Sequence, residues 1–221
     1  LDCNDRHFIL IDTAGVRRKS KVRETIEKYS VVKTLQAIAE SSVAILVLDA
    51  QQGLVEQDKA IAGLALQHGR SIVVAVNKWD RLEREVKQQV EGDLIHHFSF
   101  LPKHETIRIS ALHGTGVGNV LDAAHQAHQS AMRKLPTNRL NRLLAEAVGR
   151  HPPARHGGRL VQLKYAHQGG RNPPIVVIHG NLVDRLSPAY RRYLARYFSR
   201  AFNLIGSPVQ IETRTKLNPY V

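Results

Sequence analysis

The sequence predicts an α/β fold: a parallel-rich sheet covered by helices, followed by a smaller α+β domain. Three observations predict it. Continuous apolar runs alternate with segments of helical period across residues 1–136. Short polar motifs close three of those runs, where the strands of a parallel sheet end and loops begin. Beyond Pro136 the element order changes and so does the charge. Residues 1–136 hold 18 Lys and Arg against 16 Asp and Glu, whereas residues 137–221 hold 14 against 3.

In order, His7-Phe8-Ile9-Leu10-Ile11-Asp12 reads as a strand, and Glu24 to Ala39 as a helix, with Ile26, Tyr29, Val32, Leu35 and Ala39 three or four apart. Val43 to Leu48 and Ser71 to Val76 are continuous apolar runs, the pattern of parallel strands buried on both faces. Between and after them lie helical stretches at Gln57 to Gln67 and Leu82 to Phe98, a short strand at Thr106 to Ile109 and a helix at Val117 to Met132. Lys134 to Asn138 reads as a linker between a first domain, 1–136, and a second, 137–221. The second runs helix (Asn138 to Val148), strand (Leu160 to Ala166), strand (Pro174 to His179), helix (Pro188 to Phe202), strand (Val209 to Arg214). Ser187 followed by Pro188 is an N-cap with proline at the first helical position.

Composition narrows the functional classes. The chain has 221 residues, of which 43% are apolar, sufficient for a buried core. No apolar stretch reaches the roughly 18 residues of a membrane span, and no signal peptide opens the chain. Cys3 is the single cysteine, which excludes an internal disulfide and fits a reducing, cytoplasmic setting. The positive excess of the last 85 residues points to a polyanionic partner, with nucleic acid favoured over a membrane because no amphipathic membrane helix is present. The twelve histidines include the pairs His96-His97 and His125 with His128, but no cysteine or carboxylate cluster accompanies them, so no metal site is expected there.

The three loop motifs carry the chemistry. Asn77-Lys78-Trp79-Asp80 follows a buried strand. Guanine presents N1–H and N2–H₂ as two parallel donors, and the Asp80 carboxylate accepts both. Adenine has an acceptor at N1 and no N2 amine, so it leaves the carboxylate unpaired, at a cost of several kcal/mol, roughly a hundredfold or more in affinity. The Asn77 amide can bridge neighbouring loops and touch the base, and the aliphatic stem of Lys78 can lie over the purine. Ser110-Ala111-Leu112 closes another strand, where the Ala111 N–H can donate to guanine O6. Asp12-Thr13-Ala14-Gly15 closes the first run. There Asp12 would hold Mg²⁺ through a water, while the Gly15 N–H approaches a γ-phosphate. A loop that touches the γ-phosphate only in the triphosphate state is a switch. These are the parts of a P-loop-type GTPase, yet no G-x-x-x-x-G-K-[S/T] phosphate loop occurs in the sequence, which starts eleven residues before Asp12. The front end of the domain is lost or not shown.

The stretches Asp12 to Lys19, Glu27 to Ile38, Asn77 to Asp80, Ser110 to Asn119, Lys164 to Asn181 and Gly206 to Ile211 closely resemble the Der/EngA family of bacterial GTPases. That family has two Era-like GTPase domains in tandem followed by a KH-like domain, and acts in assembly of the large ribosomal subunit. The resemblance implies that this chain is the second GTPase domain from its third motif onward, plus the KH-like domain. The first GTPase domain, the second phosphate loop, the first switch and a basic tail beyond Val221 are then absent from the sequence. It also implies GTP and GDP as ligands, Mg²⁺ at Asp12, rRNA and the large ribosomal subunit as partners, and the first GTPase domain as a neighbour in the same chain. Asn77, Lys78 and Asp80 would read the base; Ser110, Ala111 and Leu112 would complete its pocket; Asp12 and Gly15 would serve the magnesium and phosphate side. Val16 stands where Ras-like proteins carry a water-orienting glutamine, so another device is implied, with a bound K⁺ as the candidate. No catalytic residue is named.

KH modules clamp nucleic-acid backbone with a G-x-x-G loop. Gly157-Gly158, Gly169-Gly170 and Gly180 do not make one, so RNA affinity is expected from phosphate contacts by Arg185, Arg191, Arg192, Arg196 and Arg200, on or beside one helix. Tyr190, Tyr193 and Tyr197 lie among them, either stacking on bases or, as favoured, packing on the sheet. The competing reading is a nucleotide-incompetent fragment that acts only as an RNA- or protein-binding module.

Overall fold

The computed structural model describes residues 1–3, 6–12 and 34–215. Two three-stranded sheets organise it. In the first, β3 (Val43–Asp49), β4 (Ser71–Asn77) and β5 (Thr106–Arg108) run parallel in the order β3-β4-β5. Parallel strands need crossovers, and helices supply them: α2 (Glu56–Gln67), α3 (Arg84–His97) and α4 (Val117–Ala131). Residues 34–40 are also helical (α1); the rest of the helix expected over Glu24 to Ala39 lies outside the described residues.

The central strand β4 is buried on both faces. Ile72, Val74 and Val76 pack with Leu94 and Phe98 on one side, while Val73 and Ala75 pack with Val120, Ala123 and Ala127 of α4 on the other. Its Ser-Ile-Val-Val-Ala-Val-Asn sequence is what such a strand requires. The expectation of equal burial for Val43 to Leu48 is corrected: β3 is mostly half-exposed, with Val47 at 56%, because no strand pairs its outer edge among the described residues.

The expected strand over His7 to Asp12 is also corrected. The chain forms a two-residue hairpin, β1 (Asp2–Cys3) with β2 (Arg6–His7), and residues 8–12 are not in a sheet. Ile9, Leu10 and Ile11 stay largely exposed. The apolar run supplies β-propensity, but a strand is stabilised by its ladder, and this segment has none. It borders a cavity of about 810 Å³ beside β3 that is also lined by Ile38, Ile45 and His125.

The second sheet has β6 (Gln162–Gly170) antiparallel to β7 (Ile175–Asn181), and β7 parallel to β8 (Gln210–Thr215). α5 (Thr137–Arg150) and α6 (Pro188–Ala201) cover one face. Leu140, Leu144 and Ala147 of α5 and Leu194 and Phe198 of α6 close over Ala166, Val176 and Ile178. The Ser187 Oγ accepts the Tyr190 N–H at 3.2 Å, so the expected N-cap forms. The link between the sheets is packed rather than loose: Leu135 is buried in the second core, and the Gln168 side chain accepts from the Leu135 N–H and donates to the Arg133 carbonyl.

Candidate functional site

Three strand ends of the first sheet meet at one edge. β3 and β4 run in register to Asp49 opposite Asn77, so both side chains emerge at the carboxyl end of the sheet. The Asn77 Oδ1 accepts the Lys78 N–H at 2.8 Å and the Ala111 N–H at 2.9 Å, which ties the loop after β4 to the loop after β5. The Trp79 N–H donates to the Ile109 carbonyl at 3.2 Å and makes a second tie between the same loops. Lys78 takes a left-handed conformation, φ 62°, and a 3₁₀ turn over Trp79–Arg81 presents Asp80.

Asp49 holds Lys78 at 2.7 Å. Burial works against the Asp49 charge, but the Lys78 hydrogen bond and the Gln51 N–H outweigh it and keep the carboxyl below its ordinary range. The carboxyl of Asp80 is likewise lowered, first by the adjacent Ser110 hydroxyl, then by its own backbone N–H and by the charges of His113 and Arg81. Its Oδ2 lies 3.7 Å from His113 Nε2 and 4.0 Å from Arg81 Nε. The Ser110 Oγ is buried next to the Asp80 carboxylate, short of full hydrogen-bond geometry. An ionised carboxylate beside a buried hydroxyl, on a loop anchored from below, has the chemistry to accept a paired N–H donor edge.

The structure thus brings Asn77, Lys78, Asp80, Ser110 and Ala111 together. Leu112 follows them and is 70% exposed. The Ala111 N–H, expected to donate to a base, is engaged by Asn77, so a nucleobase oxygen would have to share or take over that donor. Asp12 lies outside this group: it is exposed and lines the cavity beside β3, and no cluster of three or more metal-ligating side chains forms among the described residues. Gly15 and Val16 lie outside the described residues. Asp49 and His113 escaped the sequence reading. The signal for Asp49 was its place at the end of an apolar run, equivalent to that of Asn77.

On the second sheet, Arg192, Arg196 and Arg200 form an exposed stripe at four-residue spacing along α6, without a carboxylate partner among the described residues. The other two candidates behave differently. Arg185 pairs with Asp184 at 3.1 Å, and the half-buried Arg191 donates to Thr213 Oγ1 at 3.1 Å and to the Asp184 carbonyl. The tyrosines pack, half-buried, against the core between the helices and the sheet, and their hydroxyls bond to α5 and its end. Tyr190 donates to the His151 carbonyl just beyond α5, Tyr193 to the Ala147 carbonyl and Tyr197 to Glu146, while their rings stand 5.5 and 6.1 Å apart in sequence order. Burial, reinforced by Tyr193, pushes the Tyr190 hydroxyl up to about 12. These rings are therefore part of the α5–α6 seam.

Two family models match successive stretches of the chain. A family model described as the Elongation factor Tu GTP binding domain matches residues 1–130, and one described as the KH-domain-like of EngA bacterial GTPase enzymes, C-terminal, matches residues 134–214. The chain is 48% identical over 217 residues to the GTPase Der of Psychrobacter sp. (strain PRwf-1), covering 98% of this chain and 46% of that protein. It is 51% identical over 215 residues to the GTPase Der of Halorhodospira halophila, covering 97% and 46%. The chain thus spans about half the length of the curated relatives it matches. Among solved structures, Aquifex aeolicus Era bound to GDP·AlF4⁻ aligns with 89% of this chain and 73% of its own at a TM-score of 0.42 and 16% identity, too distant for its ligands to bear on this site. With a GTP-binding domain matched over more than half its length and an EngA-type domain after it, the chain belongs to the Der/EngA family of bacterial GTPases.

Proposed function

We propose that this chain carries the guanine-reading part of a GTP-binding, GTP-hydrolysing switch, joined to a KH-like RNA-contacting domain, and that the switch serves assembly of the large ribosomal subunit in the cytoplasm. The observation that carries the nucleotide reading is the Asn77 bridge: one side-chain oxygen fixes both loops that frame Asp80. Residues 1–136 and 137–221 are the two functional units of this reading. Asp80 accepts the N1–H and N2–H₂ of guanine, Lys78 lies along the purine while Asp49 holds its ammonium, and Ala111 shares its N–H with O6. Mg²⁺, when bound, would neutralise phosphate charge. Asp12 is the residue to hold it through water, and its exposure leaves the carboxylate available. Gly15 would approach the γ-phosphate, and K⁺ is the candidate for the missing water-orienting function. The Arg192, Arg196 and Arg200 stripe supplies phosphate contacts to rRNA, and the first GTPase domain of the relatives is the expected neighbour.

No helix among the described residues is long and apolar enough to cross a membrane. The experiment is sedimentation of the full-length protein with large ribosomal subunits in GTP, in GDP and without nucleotide. The reading expects different binding in the three states. Equal binding in all three would favour a constitutive RNA- or protein-binding module.

A further inference from the structure

The face of the second sheet that α5 and α6 leave uncovered carries an aromatic ladder, apart from the loops around Asp80 and from the arginines of α6. Side chains alternate along a strand, so Ala166, Val176 and Ile178 point into the core and their neighbours point away. Register places Tyr165 opposite His179, His167 opposite Val177, and His179 beside Arg214. The Tyr165 and His167 rings lie 5.8 Å apart at 28°, the two histidines 5.1 Å apart at 24°, and Tyr165 and His179 6.0 Å apart at 49°. Tyr165 is 45% exposed, and Arg214 is exposed next to the ladder. The Nδ1 of His167 is buried without a hydrogen-bond partner. The bulge at Lys164 sets another exposed cation beside Tyr165.

We propose that this face is a stacking platform for the unpaired bases of single-stranded RNA. Flat rings with polar edges offer π-surface to any base, and a strand without a duplex partner has bases free to use it. Charge selects nucleic acid over a protein partner, since the 85 residues that build this domain hold 14 Lys and Arg against 3 Asp and Glu. One of those three, Glu212, sits on the same face opposite Val177. It repels phosphate from the middle of β8 and leaves Lys164 and Arg214, at the Tyr165–His179 end, to hold the backbone. The platform lies across the sheet from the arginine stripe of α6. It rests on the reading that this domain contacts RNA, but on different residues.

The test is fluorescence anisotropy with the full chain, using labelled oligouridine of about 12 nucleotides and an RNA duplex of equal length. Tyr165→Ala is expected to weaken oligouridine binding about tenfold and leave duplex binding unchanged, while Tyr165→Phe and Tyr165→Leu separate ring from bulk. Phe should bind like the parent protein, and Leu, which keeps an apolar side chain and the fold, should bind like Ala. Equal binding by the parent, Ala and Leu proteins would overturn the platform, as would parallel losses on duplex and single strand, or failure of the parent protein to bind oligouridine. A variant with Arg192, Arg196 and Arg200 all changed to Gln separates the two readings. If only that variant loses RNA, the α6 reading stands and the platform falls; if only Tyr165→Ala does, the reverse holds.

Discussion

Ile72 donates its backbone N–H to the carbonyl of Gly206 at 2.8 Å, so a loop of the second domain is bonded to the start of the central strand whose other end carries Asn77. Neighbouring contacts reinforce the joint. Gly206 donates to the Lys103 carbonyl at 2.6 Å, Ile205 N–H to Ser130 Oγ at 3.1 Å, and Arg133 to the Phe202 carbonyl at 2.8 Å. The Asn172 N–H meets the Ala131 carbonyl, and its side chain meets Ser42. The KH-like domain thus sits at the amino end of the parallel sheet, opposite the loops that carry Asn77 and Asp80.

Gly206 is the position where this joint admits no side chain. Its φ is +68°, and a Cβ would stand 2.7 Å from the Ile72 carbonyl oxygen and 2.9 Å from the Ala127 Cβ. Gly206→Ala should therefore lower stability by about 1–3 kcal/mol through left-handed strain and backbone displacement. Urea denaturation would show a lower midpoint and, with the joint loosened, separate transitions for the two domains. An unchanged single transition would contradict the joint.

Asn141 gives a second prediction. It takes the place of a partner strand for the edge strand β6: its Oδ1 accepts the Ala166 N–H at 2.8 Å and its Nδ2 donates to the Ala166 carbonyl at 2.9 Å, with a further bond to the Thr137 carbonyl. Asn141→Ala strands both groups of a buried residue and should cost about 1–3 kcal/mol. Asn141→Asp should not recover the loss, because a carboxylate faces two carbonyl oxygens. Thermal unfolding of the three proteins checks this.

Local sequence pattern reveals some of these positions and not others. Asn77, Asp80, Ser110 and Ser187 announce themselves locally, by standing at the end of an apolar run or before a helix. The role of Asp49 depends on register with β4, and that of Gly206 on a contact across 134 positions of chain, from Ile72. No local pattern encodes either. The run at Ile9 to Ile11 has the propensity of a strand, but propensity does not specify a pairing partner. For the tyrosines of α6, helical spacing gives the packed face but not the α5 groups that their hydroxyls bond.

Acid stability supplies a third prediction. The folded protein holds the Asp49 carboxyl below its ordinary value of 3.8, so the stabilisation is present at neutral pH and is lost as pH falls through that depressed value. Asp49→Asn should remove about 0.5–1 kcal/mol at pH 7, little because Lys78 remains partly solvated, and should flatten the decline in stability below about pH 4. Denaturant midpoints measured from pH 7 to pH 2 for the two proteins would show the curves converging at the acid end. Parallel curves would mean that the pair contributes nothing.

Calorimetric titration of GDP, ADP and XDP into the full-length protein and its Asp80→Asn variant decides whether Asp80 reads guanine. The parent should prefer GDP over ADP by roughly a hundredfold or more. The variant, whose amide offers one donor and one acceptor, should lose GDP affinity by about tenfold or more and gain relative affinity for XDP, which carries a carbonyl where guanine has its amine. The same GDP preference in both proteins would contradict the account.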